Sequence, residues 1–299
     1  MILARNRRFR TAAISLAAGA ALVAWRTFAA SRRRAHSLRH GRLRKLQELS
    51  VRIDGRRIFY RASAPRVGGA AQPVVLVHGW GVSSIYFVPI AERLAPEFAI
   101  YAPDLPGHGR SDTPRSGCNI EEHARTLLAW MDAVGLERAT VIGHSMGGQV
   151  ALEAALQAPH RIERLVLMGL PNLASWSAPE QFARFALCGF FEHPSLHLPL
   201  LRDLARMGPR LVPEFRYMRD DPFRQKLPKI TQRVLLMRGE NDFMSPQSWN
   251  EEAARLSGAE DVVVIPRWGH AFQFSAPDET IAEVSVFLRD TSAAARRDG

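Results

Sequence analysis

Short, uninterrupted apolar runs that alternate with helix-like segments restrict the fold of this chain more than any other feature. A strand that is buried on both faces of a sheet needs such a run, whereas a half-exposed strand alternates apolar and polar residues. The runs lie at Pro73–Val77, Phe98–Tyr101, Thr140–Ile142, Leu165–Met168, Val234–Met237 and Val262–Ile265. Helical spacing is predicted at about 84–95, 119–134, 146–157, 246–256 and 278–289. This alternation predicts an α/β protein with a mainly parallel, doubly wound sheet that helices cover on both faces.

Two departures from the alternation set the expected domain organisation. Leu49–Ile53 alternates with the period of an exposed strand, and a second strand starts at Ile58 after an Asp-Gly turn. Residues 171–229 break the pattern, since they are rich in Pro, Phe, Leu and Arg and show only short helical stretches. We therefore expect one α/β domain at 47–299, with a helical cap inserted at about 171–229.

The positive charge of the chain is concentrated at its N-terminus. The formal net charge is +11, yet eleven Arg, one Lys and no acidic residue lie in residues 1–47. The remainder carries 28 basic and 29 acidic residues, so the body of the protein is close to neutral. The body also lacks a basic motif interleaved with aromatic residues. We therefore expect no nucleic-acid partner.

Residues 11–30 form an apolar segment that is interrupted by Arg26 near its end. Its length suits a membrane-spanning helix, and the flanking arginines can bind an anionic membrane surface at about 1 kcal/mol each. A signal anchor or interfacial helix predicts a membrane-associated protein. A cleaved secretory signal, which predicts a secreted or periplasmic protein, and an organelle transit peptide are the alternatives. All three interpretations place the basic tail, residues 1–46, outside the folded domain.

Gly143–Gly148, with the sequence GHSMGG, lies between an apolar run and a predicted helix. A sharp strand-to-helix turn exposes the hydroxyl of Ser145, and the same turn crowds the backbone, so that Gly143 and Gly147 need to lack side chains. A serine hydroxyl becomes a useful nucleophile when it is exposed and has a base beside it. Because strand, turn and helix occur together, we interpret Ser145 as a nucleophile.

A second loop, His78–Gly81 (HGWG), follows the first buried run. In a sheet of this kind the loop lies at the carboxyl edge of the strands, where ligands bind. We expect the backbone N–H groups of Trp80 and Met146 to form an oxyanion hole, which stabilises the negative charge that develops on a carbonyl oxygen. The His78 side chain is interpreted as a brace of this loop.

Together with Asp104–Ser111 (DLPGHGRS) and a late acid and histidine, these motifs resemble the α/β-hydrolase fold family and its serine esterase and lipase branch. The resemblance covers about residues 47–290 and implies the family's order of nucleophile, acid and histidine. The acid is then Asp242, with Glu240 as the alternative, because both follow the apolar run after the predicted cap. The histidine is His270, which follows the last apolar run.

The resemblance implies a hydrolase that cleaves carboxylic esters through an acyl-enzyme at Ser145. The predicted cap contains LCGFF at 187–191 and LPLL at 198–201, and an apolar cap favours an apolar acyl group. The expected partner is a small-molecule or lipid-like ester. A carbon–carbon bond hydrolase or an amidase of the same fold is an alternative, and a catalytically silent hydrolase-fold binding protein is an alternative from another class.

Several further residues have two interpretations each. His108 and Asp104 of the third motif are expected to be structural. Four aromatic residues are candidates for the acyl pocket, although core packing explains them equally well: Trp80, Trp268, Phe272 and Phe274. Six arginines of the predicted cap are expected on its solvated face: Arg202, Arg206, Arg210, Arg216, Arg219 and Arg224.

The sequence predicts neither a metal nor an organic cofactor. Cys118 and Cys188 are too few for a disulfide framework, and neither has the spacing of a metal ligand from a neighbouring Cys or His. Both are interpreted as small apolar residues, and no cluster of metal ligands is visible along the chain.

Overall fold

The computed structural model describes residues 46–63, 72–114 and 117–290. Leu46, the last residue of the predicted tail, begins the first strand. The rest of that tail, with its membrane-anchor or signal-like segment at 11–30, lies outside these residues. Among the described helices, none is both long enough and apolar enough to cross a bilayer.

One sheet of eight strands organises the described residues. The strands are β1 (Leu46–Ile53), β2 (Arg56–Ser63), β3 (Pro73–Val77), β4 (Ala99–Pro103), β5 (Ala139–His144), β6 (Ile162–Met168), β7 (Arg233–Gly239) and β8 (Val262–Ile265). Their order in the sheet is β1-β2-β4-β3-β5-β6-β7-β8. The β1–β2 and β2–β4 pairs are antiparallel, and every other neighbouring pair is parallel. The predicted mainly parallel sheet is therefore confirmed.

Helices pack against both faces of the sheet. The described helices are α1 (Val88–Leu94), α2 (Ile120–Ala133), α3 (Met146–Gln157), α4 (Ala178–Phe190), α5 (His197–Met207), α6 (Leu211–Asp220), α7 (Phe223–Lys226), α8 (Gln247–Ser257), α9 (Phe272–Ser275) and α10 (Pro277–Arg289). Val75 and Val77 of β3 belong to a core that includes α2, α3 and α8, whereas Val74 and Leu76 belong to a second core with α1, α9 and α10. Successive side chains of a strand point to opposite faces, so the continuous apolar run fills both cores.

Several predicted boundaries differ from the observed ones, and two of these differences have a clear local cause. The segment predicted as one helix at 84–95 begins as a 3₁₀ turn at Ser84–Phe87 and becomes α-helical at Val88, where Pro89 fits the first turn. The fourth strand starts at Ala99 rather than at Phe98, because the Phe98 N–H donates to the carbonyl of Leu94 at the end of α1.

Helices α4–α7 all lie between β6 and β7, in residues 169–232, which we call the β6–β7 segment. This segment contains the interval 171–229, for which an inserted cap is predicted. The strands before and after the segment, β6 and β7, pair directly in parallel from Arg164↔Arg233 to Met168↔Met237. The segment therefore interrupts the chain without interrupting the sheet.

The position of β3 decides where the loops meet. β3 pairs with β4 on one side and with β5 on the other, so the chain reverses its direction of winding there. Val77 at the end of β3 pairs with Gly143 in β5, which brings the loops after these two strands together. Ligands of open α/β sheets bind at such a switch point, beyond the carboxyl ends of the strands.

Two glycines allow the turn after β5. A Cβ atom on Gly147 would overlap the backbone carbonyls of Val77 and His78, and one on Gly143 would overlap the backbone of Gly147. The residue in the turn, Ser145, has φ +55° and ψ −121°, a backbone conformation that residues other than glycine rarely adopt. The close approach of β3, β5 and α3 therefore depends on the two missing side chains.

We predict that Gly147→Ala lowers the free energy of unfolding by at least about 2 kcal/mol, because the added methyl group has no space between backbone atoms. Urea denaturation of the full chain measures this loss. Gly189→Ala is the matched control, since the nearest atom to its Cβ lies 3.8 Å away and α4 tolerates alanine. Equal stability changes in the two variants would contradict the proposed crowding.

Candidate active site

Ser145 stands at the turn between β5 and α3, and its side chain lines a cavity of about 520 Å³. The Ser145 N–H donates to the carbonyl of Met168 on the neighbouring strand, at 2.9 Å. This bond fixes the turn to β6 from one side, while Gly147 fixes it to β3 from the other. The serine is thus held rigidly, and its side chain faces the cavity.

Asp242 and His270 lie together at the same edge of the sheet. The loop after β7 carries Asp242, and the loop after β8 carries His270, whose Nδ1 lies 2.9 Å from Asp242 Oδ2. The second carboxylate oxygen, Oδ1, accepts the N–H groups of Met244 and Ser245 at 3.0 and 3.1 Å. Because a carboxylate accepts, His270 donates through Nδ1 and presents Nε2 as an acceptor.

The alternative acid, Glu240, lies elsewhere. Its Oε2 accepts the backbone N–H of Arg267 at 2.6 Å, which braces the loop before His270. Of the two acids named from the sequence, the structure therefore brings Asp242 to the histidine and turns Glu240 away from it.

The two partners shift each other's pKa values. Burial alone would raise the pKa of the Asp242 carboxyl, but the charge and hydrogen bond of His270, with His144 and Arg238, hold it below its ordinary value. Burial alone would lower the pKa of His270, but attraction to Asp242, their hydrogen bond and the carboxylate of Glu192 raise it above its ordinary value. The pair therefore favours an ionised acid beside a histidine that readily accepts a proton.

The cavity that Ser145 and His270 share is mainly apolar. The β6–β7 segment supplies most of its wall, from α4, α5 and α6: Phe182, Phe185, Leu200, Leu204, Leu211 and Phe215. Gly79 and Trp80, in the loop after β3, line it on the side of the sheet. A site of this shape encloses an apolar group beside two polar side chains.

The residues of the two predicted backbone donors lie at the cavity wall and directly after Ser145. Trp80 lines the cavity, and Met146 is the first residue of α3, directly after Ser145. The first N–H groups of a helix have no partner within the helix, so the Met146 N–H is available to a group outside it. Gly79 approaches this turn closely, since a Cβ on it would lie 3.2 Å from Ser145 Cβ.

A buried chain of hydrogen bonds connects the Gly79 loop to the His270 loop. The Gly79 N–H donates to the hydroxyl of Tyr86 at 2.8 Å, and that hydroxyl lies 2.9 Å from His144 Nδ1. His144 Nε2 lies 2.7 Å from the carbonyl of His270, so Nε2 carries the hydrogen and Nδ1 accepts from Tyr86. Burial lowers the pKa of His144 to about 3, which keeps this ring neutral.

His78 and Asp104 are braces, as expected. His78 Nε2 accepts the N–H of Leu105 at 2.8 Å, and its Nδ1 donates to the carbonyl of Gly79. The Asp104 carboxylate accepts the N–H groups of Ser84 and Arg110, each at 2.8 Å. These bonds join the loop after β3 to the loop after β4.

Sequence reasoning missed Glu192, which lies in the β6–β7 segment and is buried at the wall of the cavity. Its carboxylate accepts the N–H of Ala271 at 2.7 Å and the hydroxyl of Ser275 at 2.8 Å. Burial raises its pKa to about 7, although these two donors act in the opposite direction. The N–H of Gly269 also donates to the carbonyl of Phe191, at 3.0 Å. The β6–β7 segment therefore holds the loop that carries His270.

Arg238 was also missed. Its buried guanidinium donates to the backbone carbonyls of Ser245, Glu240 and Asp242, so it folds the loop that presents the acid. Nothing in the local sequence separates this arginine from an exposed one on β7. Its partners are backbone carbonyls of the loop after β7, which come together only when that loop is folded.

Several pocket candidates lie elsewhere. Trp80 lines the cavity, but Phe272 and Phe274 are buried in the core beneath α1 and α10, and Trp268 packs against that core. None of the six arginines named from the sequence lines the cavity, and four of them are exposed: Arg202, Arg206, Arg216 and Arg224. Arg210 instead donates to the carbonyl of Gly107 at 2.7 Å.

Away from the cavity, His108, His123 and Glu214 form a group with the donors and spacing of a metal site. No sequence motif indicates this group, because the three residues lie in three distant segments. Among the described residues, no other group of this kind was found.

Comparison with known proteins shows that the chain is similar to proteins of the α/β hydrolase fold. Residues 72–198 match the sequence pattern of a family described by the α/β hydrolase fold. An uncharacterized protein of Mycobacterium tuberculosis is 37% identical over 103 residues, which cover 34% of this chain and 30% of that protein. The pimeloyl-[acyl-carrier protein] methyl ester esterase of Nitrosomonas europaea is 26% identical over 243 residues, covering 72% of this chain and 94% of the esterase.

A solved structure shares the architecture over nearly the whole chain. It is that of a membrane phospholipase A described as a bacterial virulence factor, with a TM-score of 0.72 and 24% sequence identity. The match covers 94% of this chain and 98% of the phospholipase chain. At this identity the likeness establishes the fold.

We predict that Glu192→Gln lowers the pKa of His270, because the variant removes a negative charge that favours the imidazolium form. NMR titration of the His270 ring in the full chain measures this shift. Glu283→Gln, a change at an exposed carboxylate on α10, is the control and leaves the His270 titration unchanged. An unchanged or raised pKa in Glu192→Gln would show that the carboxylate does not act on the histidine.

Proposed function

We propose that this α/β-hydrolase-fold protein is a serine hydrolase that cleaves carboxylic esters of apolar acyl groups through an acyl-enzyme at Ser145. The observation that carries the proposal is the cavity itself. One apolar space is bordered by Ser145, in a strained turn, and by His270, which is hydrogen-bonded to a buried Asp242. A nucleophile, a base and an acid that orients the base are the parts that acyl transfer needs.

In the proposed first step, Ser145 Oγ attacks the ester carbonyl carbon while its proton moves to Nε2 of His270. Asp242 keeps Nδ1 protonated and stabilises the imidazolium that forms. His270 accepts the proton only when its ring is neutral. Since Asp242 and Glu192 raise the pKa of His270, kcat/KM increases with pH through that raised pKa.

The electrons of the carbonyl double bond move to its oxygen as the new Oγ–C bond forms. In this proposal the N–H groups of Trp80 and Met146 donate to that oxygen. Removal of one such donor typically costs about 10²–10³-fold in rate. In this proposal the Gly79–Tyr86 hydrogen bond supports the Trp80 loop before the substrate binds.

The tetrahedral intermediate collapses when the carbonyl re-forms and the bond to the alcohol oxygen breaks. His270 gives its proton to the departing alcohol, and the acyl group stays on Ser145. A water molecule then attacks the acyl carbon, with its proton passing to His270. Release of the carboxylic acid returns the proton to Ser145, and no cofactor takes part in these steps.

The apolar lining of the cavity supports the proposed apolar acyl group. Leucine and phenylalanine side chains of α4, α5 and α6 surround the space, so an alkyl chain gains about 0.8 kcal/mol for each methylene that it buries there. In this proposal the β6–β7 segment, including the interval 171–229, acts as a cap. The relatives named as a methyl ester esterase and a phospholipase A act on esters, which agrees with this chemistry.

We also propose that the protein associates with membranes through the basic tail and the apolar segment at 11–30. The twelve basic residues of the tail suit an anionic surface, and an apolar ester substrate would be found there. A secreted or periplasmic protein, produced by cleavage of the tail, is the alternative.

A fluorophosphonate probe tests the nucleophile. We predict one covalent adduct per chain, mapped by peptide mass spectrometry to Ser145, and a loss of ester hydrolysis of at least about 10³-fold in Ser145→Ala. Ser248→Ala, a change at an exposed serine of α8, retains both labelling and activity. Labelling that persists in a folded Ser145→Ala protein would exclude the proposed nucleophile.

A series of aryl esters tests the acyl class. We predict that kcat/KM rises by up to about fourfold per methylene from acetyl toward longer chains, until the cavity is filled. Leu200→Glu places a charge in the wall and removes this preference, whereas the exposed neighbour Leu201→Glu keeps it. Faster turnover of short or charged acyl groups by the unaltered chain would rule out an apolar acyl site.

A further inference from the structure

We propose that His108, His123 and Glu214 bind a divalent transition-metal ion at a buried site that is separate from the Ser145 cavity. None of the three residues lines that cavity. His108 lies in the loop after β4, His123 on α2 and Glu214 on α6. A metal ion bound there would link the β6–β7 segment to two elements of the α/β body.

The spacing of the donor atoms suits a small metal ion. One donor atom from each of the three residues can be chosen so that all lie within 4.8 Å of one another. His108 Nε2 and Glu214 Oε2 are 3.4 Å apart. Two ligands of a tetrahedral ion with bonds of about 2.1 Å are separated by a similar distance. Small movements of the His123 ring would complete a three-ligand set.

The donor atoms are buried without hydrogen-bond partners among the described residues. His123 is completely buried, and neither of its ring nitrogens has such a partner. The same is true of His108 Nε2 and of both carboxylate oxygens of Glu214. Burial of an unpaired polar atom is costly, and most buried polar groups are paired. A metal ion would provide one shared partner for all three side chains.

The protonation states favour ligation. Burial lowers the pKa of His108 to about 3 and that of His123 well below its ordinary value, so both rings are neutral and have a free lone pair. Burial raises the pKa of Glu214 to about 7, and Arg210 only partly offsets this. Metal ligands bind in their deprotonated forms, and both imidazoles are already in that form.

Three charged or titratable neighbours lie near the group: Arg210, His78 and the buried thiol of Cys118, which interacts electrostatically with Glu214. Arg210 Nη1 lies 3.8 Å from Glu214 Oε1, which is the carboxylate oxygen that does not face His108. The same nitrogen donates to the carbonyl of Gly107. Its charge weakens cation binding without blocking Oε2. The His78 ring lies 5.0 Å from that of His108, but both of its nitrogens are already engaged with backbone groups.

The donor set indicates the class of ion. Two imidazoles and one carboxylate suit zinc and neighbouring divalent ions such as Co²⁺ and Ni²⁺. Leu211, Phe215 and Met218 of α6 line the Ser145 cavity, whereas Glu214 of the same helix faces the two histidines. An ion at this site would therefore hold one wall of the cavity in place without contacting the substrate.

The test uses the full chain without an affinity tag, stripped of metal and then titrated with Zn²⁺ and, separately, with Co²⁺. We expect one equivalent of Zn²⁺ by elemental analysis after dialysis, and a Tm about 5 °C higher with Zn²⁺ than with EDTA. Co²⁺ is expected to give the visible absorption bands of a tetrahedral site. His123→Gln and Glu214→Gln lose the bound zinc and the Tm increase, whereas His160→Gln and Glu260→Gln, at exposed positions, keep both.

Retention of one equivalent of zinc by folded His123→Gln and Glu214→Gln would overturn the proposal. So would the absence of both stoichiometric zinc and tetrahedral cobalt bands in the unaltered chain, a result that does not depend on the variants folding. In that case the three side chains form a metal-free cluster in which a protonated Glu214 faces His108. These outcomes are independent of ester hydrolysis, so they do not depend on the nucleophile assigned to Ser145.

Discussion

The close contact between Gly147 and the carbonyls of Val77 and His78 is the constraint on which the site depends. It brings α3 against the end of β3, and the chain can make this approach only by turning sharply through Ser145 at φ +55°. The strained turn is held by backbone packing on one side and by the bond from the Ser145 N–H to Met168 on the other. Strain of this kind persists where the surrounding structure fixes it, and it is concentrated at functional sites.

Hydrogen bonds connect the loops that surround this turn. Tyr86 and His144 connect the loop after β3 to the carbonyl of His270. The β6–β7 segment approaches from the opposite side, where Glu192 binds the N–H of Ala271. The loop that carries His270 is therefore held by the sheet and by the segment above it. In the proposed enzyme the segment has two tasks, since it forms the wall of the apolar cavity and positions the base.

Local sequence patterns were sufficient to predict part of the fold and of the candidate site. Continuous apolar runs predicted the parallel strands, because such runs fill two cores at once, and the GHSMGG motif predicted the turn at Ser145. The resemblance to the α/β-hydrolase family, with its order of nucleophile, acid and histidine, predicted that Asp242 approaches His270. Glu192 and Arg238 were not predictable, because a buried acid or arginine has the same local sequence as an exposed one. The group of His108, His123 and Glu214 likewise exists only after three distant segments have packed together.

The most direct test of the account is the capture of the covalent intermediate from an ester. The full chain would be mixed with an aryl ester of a long-chain acid, quenched in acid within milliseconds, and mapped by peptide mass spectrometry. The account predicts that the acyl mass appears on the peptide containing Ser145, together with a burst of aryl alcohol approaching one equivalent per chain. Ester turnover with the acyl mass on another residue, or with no acylated peptide and no burst, would contradict it.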